Sequence, residues 1–154
     1  AQARASERGP RQVALLEEEL ATFDKPLSEV VIMASIVERE ARTYEDRRKI
    51  SGVLWRRLDK NMALQADATF RYINGKGTFD LTLEDLADES PYNTYEHKGL
   101  PPTPIGSPSL ASLEATITPI DDGYLFYLAD NNGVTHYAKT YAQHQENERI
   151  YLGK

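Results

Sequence analysis

The sequence contains no cysteine. That excludes a disulfide framework, a cysteine-ligated zinc and a thiol nucleophile, and it leaves the redox compartment open. No apolar run approaches the roughly 18 residues that suggest a membrane span, and no segment has the layout of a secretion signal. An excess of positive charge is missing as well. Eighteen Lys+Arg stand against 24 Asp+Glu, a net charge of −6, whereas a nucleic-acid binder usually presents a basic field. There is no Gly-rich phosphate loop and no serine-nucleophile elbow. His97, His136 and His144 lack metal-ligand spacing. Nucleic acid is therefore set aside as a partner, and no metal or other cofactor is expected.

What remains is an ordinary globular composition, 40% apolar and 27% charged over 154 residues, enough for one core. After a polar stretch over Ala1–Arg11, Leu15, Leu16 and Leu20 mark a first helix from about Pro10 to Phe23. A second helix is expected from Ser28 to about Thr43, apolar on nearly every side from Val30 to Val37 and therefore buried. A third, Tyr44 to Lys60, carries Ile50, Val53, Leu54 and Leu58 on one stripe. Its basic residues Arg47, Arg48, Lys49, Arg56 and Arg57 read as a solvated face. Leu64–Thr69 reads as a strand edge leading to a helical turn at Phe70–Ile73, and Thr82 can cap a short helix to Asp88. Ser90–Gly106 fits no regular element. Ser107 followed by Pro108 starts another helix, lined by Leu110, Leu113 and Ile117. Tyr124–Leu128 and Val134–Tyr137 form a hairpin around Asn131-Asn132-Gly133, and Thr140 with Gln143 makes a capping box for a last helix. The expected class is α+β, a mostly helical domain with a small antiparallel hairpin. Residues 1–25 are expected to form an N-terminal helix and linker, and 26–154 the functional domain.

Two features could carry chemistry. The buried second helix turns abruptly into Glu38-Arg39-Glu40-Ala41-Arg42. Glu38 shares a face with Val31, Ala34, Ser35, Ala41 and Arg42, where small side chains leave room for a ligand. Desolvation there would favour the neutral acid that a proton donor needs. On pattern alone a plain Glu38–Arg42 pair at i, i+4 is the first reading, and Glu40, on the face of Met33, Ile36 and Val37, is an equal candidate for the chemistry. The second feature is the proline-stiffened stretch Ser90–Gly106. Tyr92 and Tyr95 offer flat apolar faces with hydroxyl tips, and Asn93 and Thr94 offer polar groups, a combination suited to a sugar. The other reading is a rigid surface loop that tucks two tyrosines into the core. Gln65 and Asp67 could point into a cleft, and His136 on its strand reads first as a structural histidine.

Five stretches together resemble one family. They are Ala34-Ser35-Ile36-Val37-Glu38-Arg39-Glu40, Leu64-Gln65-Ala66-Asp67, Ser90-Pro91-Tyr92-Asn93-Thr94-Tyr95, Gly99-Leu100-Pro101-Pro102-Thr103-Pro104-Ile105 and His136-Tyr137-Ala138-Lys139-Thr140. In this order and spacing they are similar to the endolytic murein transglycosylases of the YceG-like family, from about Leu27 to the C-terminus. Gln145 departs from the Asn that many relatives carry after His144.

The resemblance implies a lytic transglycosylase acting within nascent peptidoglycan strands. Glu38 would be the acid/base and Glu40 a support. Gln65, Asp67, Tyr92, Asn93, Thr94, Tyr95, His136 and Thr140 would hold the sugar. In the implied reaction Glu38 protonates the oxygen between N-acetylmuramic acid and N-acetylglucosamine, and the muramoyl 6-hydroxyl closes a 1,6-anhydro ring. A silent peptidoglycan-binding module and a muramidase-type hydrolase using Asp67 are the alternatives. The resemblance further implies glycan strands as the partner, peptidoglycan synthases as candidate partners, and work on the outer face of the bacterial cell membrane. A membrane anchor and a LysM-like module would lie outside this chain, itself expected to be soluble.

Overall fold

The fold is organised around one helix whose middle water does not reach. Val30, Met33, Ala34, Ile36 and Val37 are fully buried on the helix α2, Leu27–Glu40. In the computed structural model, which describes residues 10–154 and side chains from Leu15 onward, the other elements wrap around it. They are α1 (Pro10–Thr22), α3 (Tyr44–Asp59), α4 (Thr69–Ile73), a 3-10 turn (Thr78–Asp80), α5 (Leu83–Leu86), α6 (Leu110–Ile117), β1 (Phe126–Ala129), β2 (Thr135–Ala138) and α7 (Tyr141–Leu152). The architecture is α+β and mostly helical. Its two strands pair antiparallel with Tyr127 opposite Tyr137 and Leu128 opposite His136. No helix among the described residues is long and apolar enough to cross a membrane.

Helices α2, α3 and α6 pack on one another, and α7 covers the hairpin. Ile50, Leu54 and Trp55 of α3 and Ile117 of α6 complete the core, and Leu16, Leu20 and Phe23 from the N-terminal side pack against it. Burying a side chain of this size is worth about 1.5–3 kcal/mol, so the three-helix contact is strongly stabilising. Polar stitches fix its register. Trp55 donates to the Thr116 carbonyl at 2.9 Å and Ser51 to that of Ala115 at 3.0 Å.

Several boundaries differ from expectation, each for a local reason. Helix α2 ends at Glu40 because Ala41 is extended (φ −140°), its carbonyl taken by the Arg47 guanidinium at 3.2 Å. Thr43 instead starts α3 by accepting from the Asp46 amide. Leu64–Thr69 forms no strand. The Gln65 and Ala66 amides bond to the carbonyl and hydroxyl of Thr94, so one residue rather than a neighbouring strand satisfies this stretch. Ser109, not Ser107, caps α6. In the last helix Gln143 reaches back to the Lys139 amide rather than to that of the Thr140 cap.

The basic stripe of α3 is also not a solvated face throughout. Arg47 and Arg57 are only 7% and 5% exposed. Arg57 donates to the Leu125 and Ala63 carbonyls at 2.6 and 2.7 Å, tying the helix to the hairpin and to the segment before Leu64. A charge this deep persists because its donors are satisfied.

Gly52 marks the closest approach in the core. A Cβ there would lie 2.1 Å from the Ile120 carbonyl oxygen, on a segment whose amide bonds back to Arg48 of the same helix. Gly52→Ala is expected to lose about 1–3 kcal/mol of stability by overpacking, measurable as a lower urea midpoint. A neutral or stabilising effect would contradict this packing.

Candidate active site

The C-terminal end of α2, the Leu64–Asp67 segment, the hairpin and the end of α7 converge on a cleft of about 430 Å³. Glu40, Gln65, Asp67, Phe79, Tyr95 and Tyr127 all line it. Gln65 holds φ +51°, a left-handed conformation uncommon outside glycine and often found where a site dictates the backbone.

Glu40 lies at the base of this cleft. Its Oε1 accepts from the Ala68 amide at 3.1 Å, and the Tyr127 side chain is a second hydrogen-bond partner. Burial, reinforced by the negative charge of Asp67, outweighs these two bonds and pushes its carboxyl up to about 7. Asp67 accepts a hydrogen bond from the Tyr95 hydroxyl and another from Thr78. Burial raises its carboxyl above the ordinary aspartate range despite those donors. Tyr127 and Tyr95 are both pushed upward by burial and by the neighbouring carboxyls. They therefore remain protonated donors.

Glu38 sits elsewhere. Two residues along a helix turn the side chain through about 200°, so it leaves α2 on another side, where it lines a second hollow of about 450 Å³ with Ser35, Arg71 and Gly106. There the Ser109 hydroxyl donates to Oε2 at 2.8 Å, the Ser109 amide at 3.3 Å, and the Ser112 hydroxyl donates too. Arg47 pairs with its Oε1 at 3.9 Å. Burial pushes the carboxyl up, but the Ser112 and Ser109 donors and Arg47 together outweigh it, and the net shift is downward. The expectation that desolvation keeps Glu38 neutral is therefore overturned. Its donors favour the carboxylate.

Of the residues expected to hold a sugar, Gln65, Asp67 and Tyr95 line the cleft and the others do not. Asn93 is fully buried, its amide donating to the Leu86 and Asp88 carbonyls while its oxygen accepts from the Tyr95 amide. Thr94 is spent on the Ala66 amide. These two hold the loop in shape and so present Tyr95. Tyr92 bonds to Thr103 at 2.8 Å and stacks near Tyr72. His136 is held by Asp130 at 2.8 Å and lies flat against Tyr151, as a structural histidine would, and Thr140 is a helix cap. Tyr127, Arg57, Thr78 and Phe79 were not singled out as site residues from the sequence. Tyr127 sat within an anticipated strand, and only the hairpin's placement turns it toward the cleft.

The profile of the YceG-like family matches residues 3–150. The chain belongs to the YceG-like family. It is 40% identical over 123 residues to the endolytic murein transglycosylase of Bacillus subtilis (strain 168), covering 80% of this chain and 34% of that protein. It is 36% identical to the endolytic murein transglycosylase of Streptococcus pneumoniae (strain D39), covering 87% of this chain and 28% of that one. The chain thus spans about a third of the length of these relatives. A crystal structure of a yceG-like protein from Listeria monocytogenes superposes with a TM-score of 0.79 at 36% identity, over 88% of this chain and 45% of the other.

The two glutamates should respond to pH with opposite sign. Folded Glu40 keeps its proton up to about pH 7 where an ordinary glutamate releases it near 4.5. The folded state therefore binds more protons across that window, and stability falls as pH rises through it. Glu40→Gln removes this cost, so the variant should be more stable than wild type at pH 8, by roughly 3 kcal/mol, and similar to it at pH 4. Glu38 has its folded carboxyl lowered, so its contribution is present above the unfolded value and is lost as pH falls. Glu38→Gln should be destabilised at pH 8. Urea unfolding of both variants checks this, and the same sign for the two would contradict it.

Proposed function

We propose that this chain is the catalytic region of a lytic transglycosylase that cleaves within murein glycan strands, with Glu40 as its general acid/base. The names of its relatives support the substrate class. One observation carries the choice of residue: Glu40 is a carboxyl that keeps its proton near neutral pH at the base of an open cleft. A proton donor to a glycosidic oxygen needs that combination, and its effectiveness peaks when its pKa lies near the working pH. Glu38, the residue the motif first suggests, is an anion held by two serines and has no proton to give.

In the reaction, Glu40 passes its proton to the oxygen joining N-acetylmuramic acid to N-acetylglucosamine, and the C1–O bond breaks with the electron pair on the leaving oxygen. Positive charge develops at the anomeric carbon. The muramoyl 6-hydroxyl attacks that carbon, its proton returns to the Glu40 carboxylate, and a 1,6-anhydro ring closes. No water is consumed, so a second catalytic carboxylate is not required. Tyr95, Tyr127 and Gln65 supply hydrogen-bonding groups along the cleft, and Phe79, 66% exposed at its edge, offers an apolar face to a sugar ring. Such a role also entails action outside the cytoplasmic membrane. The anchor and the synthase partners implied by the resemblance belong to this same proposal.

The presence of Asp67 in the same cleft favours one alternative, a muramidase with two carboxyl groups. Purified sacculi digested with wild type, Glu40→Gln and Glu38→Gln decide both questions. Glu40→Gln is expected to lose strand cleavage by at least a hundredfold while staying folded. Glu38→Gln is expected to retain cleavage in proportion to its folded fraction. Products lighter by one water than hydrolysis products support transglycosylation, and reducing ends point to the muramidase. Full activity in Glu40→Gln would overturn the assignment.

A further inference from the structure

Asp67 has no step in that reaction, yet it is among the most thoroughly held side chains in the cleft. Its carboxyl takes the Tyr95 hydroxyl and the Thr78 side chain. Tyr95 is presented by Asn93, whose oxygen holds the Tyr95 amide at 2.9 Å. The residue after Asp67 gives its amide to Glu40. One short segment thus carries both a ligand of Glu40 and a carboxyl facing it, and Thr94 pins that segment at two points.

We propose that Asp67 is a positioning residue for this reaction: clamped by Tyr95 and Thr78, it acts on the substrate only through Glu40, whose proton it holds in place. The proposal rests on Glu40 as the acid/base. Two carboxyls in one low-dielectric cleft cannot both ionise cheaply, so the better-solvated one takes the charge and the other keeps the proton. Asp67 is the better placed for the charge, with two side-chain donors and the positive charge of Lys154 acting on it. Glu40 has the Ala68 amide and Tyr127. Arg57 also acts on this cluster through both tyrosines, while its Nε and Nη1 donate to backbone carbonyls. Arg39, Arg42, His144 and Glu148 stand farther out along the lining.

The arrangement serves both halves of the cycle. Before cleavage the Asp67 charge keeps Glu40 loaded. Once Glu40 has given up its proton, two negative charges face each other, and the Glu40 carboxylate becomes a stronger base toward the 6-hydroxyl. The proton count closes, since the proton given to the leaving oxygen is replaced by the one from that hydroxyl.

Carboxyl-carbon NMR titration of the 154-residue chain tests this without requiring turnover. In wild type, Glu40 should titrate near pH 7 and Asp67 below it. In Asp67→Asn the Glu40 midpoint should fall by one unit or more, and the dispersed spectrum of the same sample reports whether the variant is folded. An unmoved Glu40 midpoint, or Asp67 titrating above Glu40 in wild type, would overturn the proposal. Cleavage rates then separate it from a structural role. The high-pH limb of the Asp67→Asn profile should move down with the Glu40 midpoint, so that activity drops about tenfold at pH 7.5 and is largely kept near pH 5. Equal loss at every pH would count against it. If Glu40→Gln remains active, the acid/base reading fails on its own, whatever the titrations give.

Discussion

Everything at this site follows from where α2 stops. The helix is buried on nearly every side up to Val37, and at Ala41 the backbone becomes extended. Glu38 and Glu40 are consequently thrown to different sides of the last turn. One meets a cap serine, a second serine one turn later and an arginine. The other meets a backbone amide, a tyrosine and an aspartate. The same side chain on the same helix becomes an anion in one place and a neutral acid in the other, and only the surroundings differ.

The Glu38 cluster is structural work of an informative kind. Ser109 caps α6 and also binds Glu38, while Ser35 of α2 accepts from the Ile105 amide at 3.0 Å. The end of α2 is thereby bolted to the start of α6 and to the proline-rich stretch before it. That bolt fixes the direction of the last turn, and the direction of the last turn aims Glu40. Glu38, two positions before Glu40, is thus used to hold the end of the helix in place. Asn93 and Thr94 serve in the same way on the other wall, shaping a loop so that Tyr95 faces inward.

Much of this was legible in the sequence. The apolar run Val30–Val37 announced a buried helix, Asn131-Asn132-Gly133 announced the hairpin turn, and Thr140 announced the last cap. From the irregular Ser90–Gly106 stretch Tyr95 reaches the cleft, alongside the Gln65/Asp67 pair, while Tyr92, Asn93 and Thr94 do not. What could not be read was which of two glutamates faces the cleft. A helix apolar all round has no polar stripe to orient it, so periodicity gives the angle between Glu38 and Glu40 but not which groups each of them meets. The deciding groups, Tyr127 on β1 and the Ala68 amide, are distant in sequence and arrive only through tertiary packing. Buried Arg57 was misread for a related reason, since a run of basic residues on a helix resembles a solvated face until its carbonyl partners are known.

The central claim is that two glutamates separated by one residue are held in opposite protonation states. Neutron diffraction from crystals of the deuterium-exchanged chain at pH 6 measures this directly. The account predicts nuclear density for a deuteron on the Glu40 carboxyl and none on that of Glu38, with the Ser109 and Ser112 deuterons aimed at Glu38. A deuteron on Glu38 and a bare carboxylate at Glu40 would contradict it.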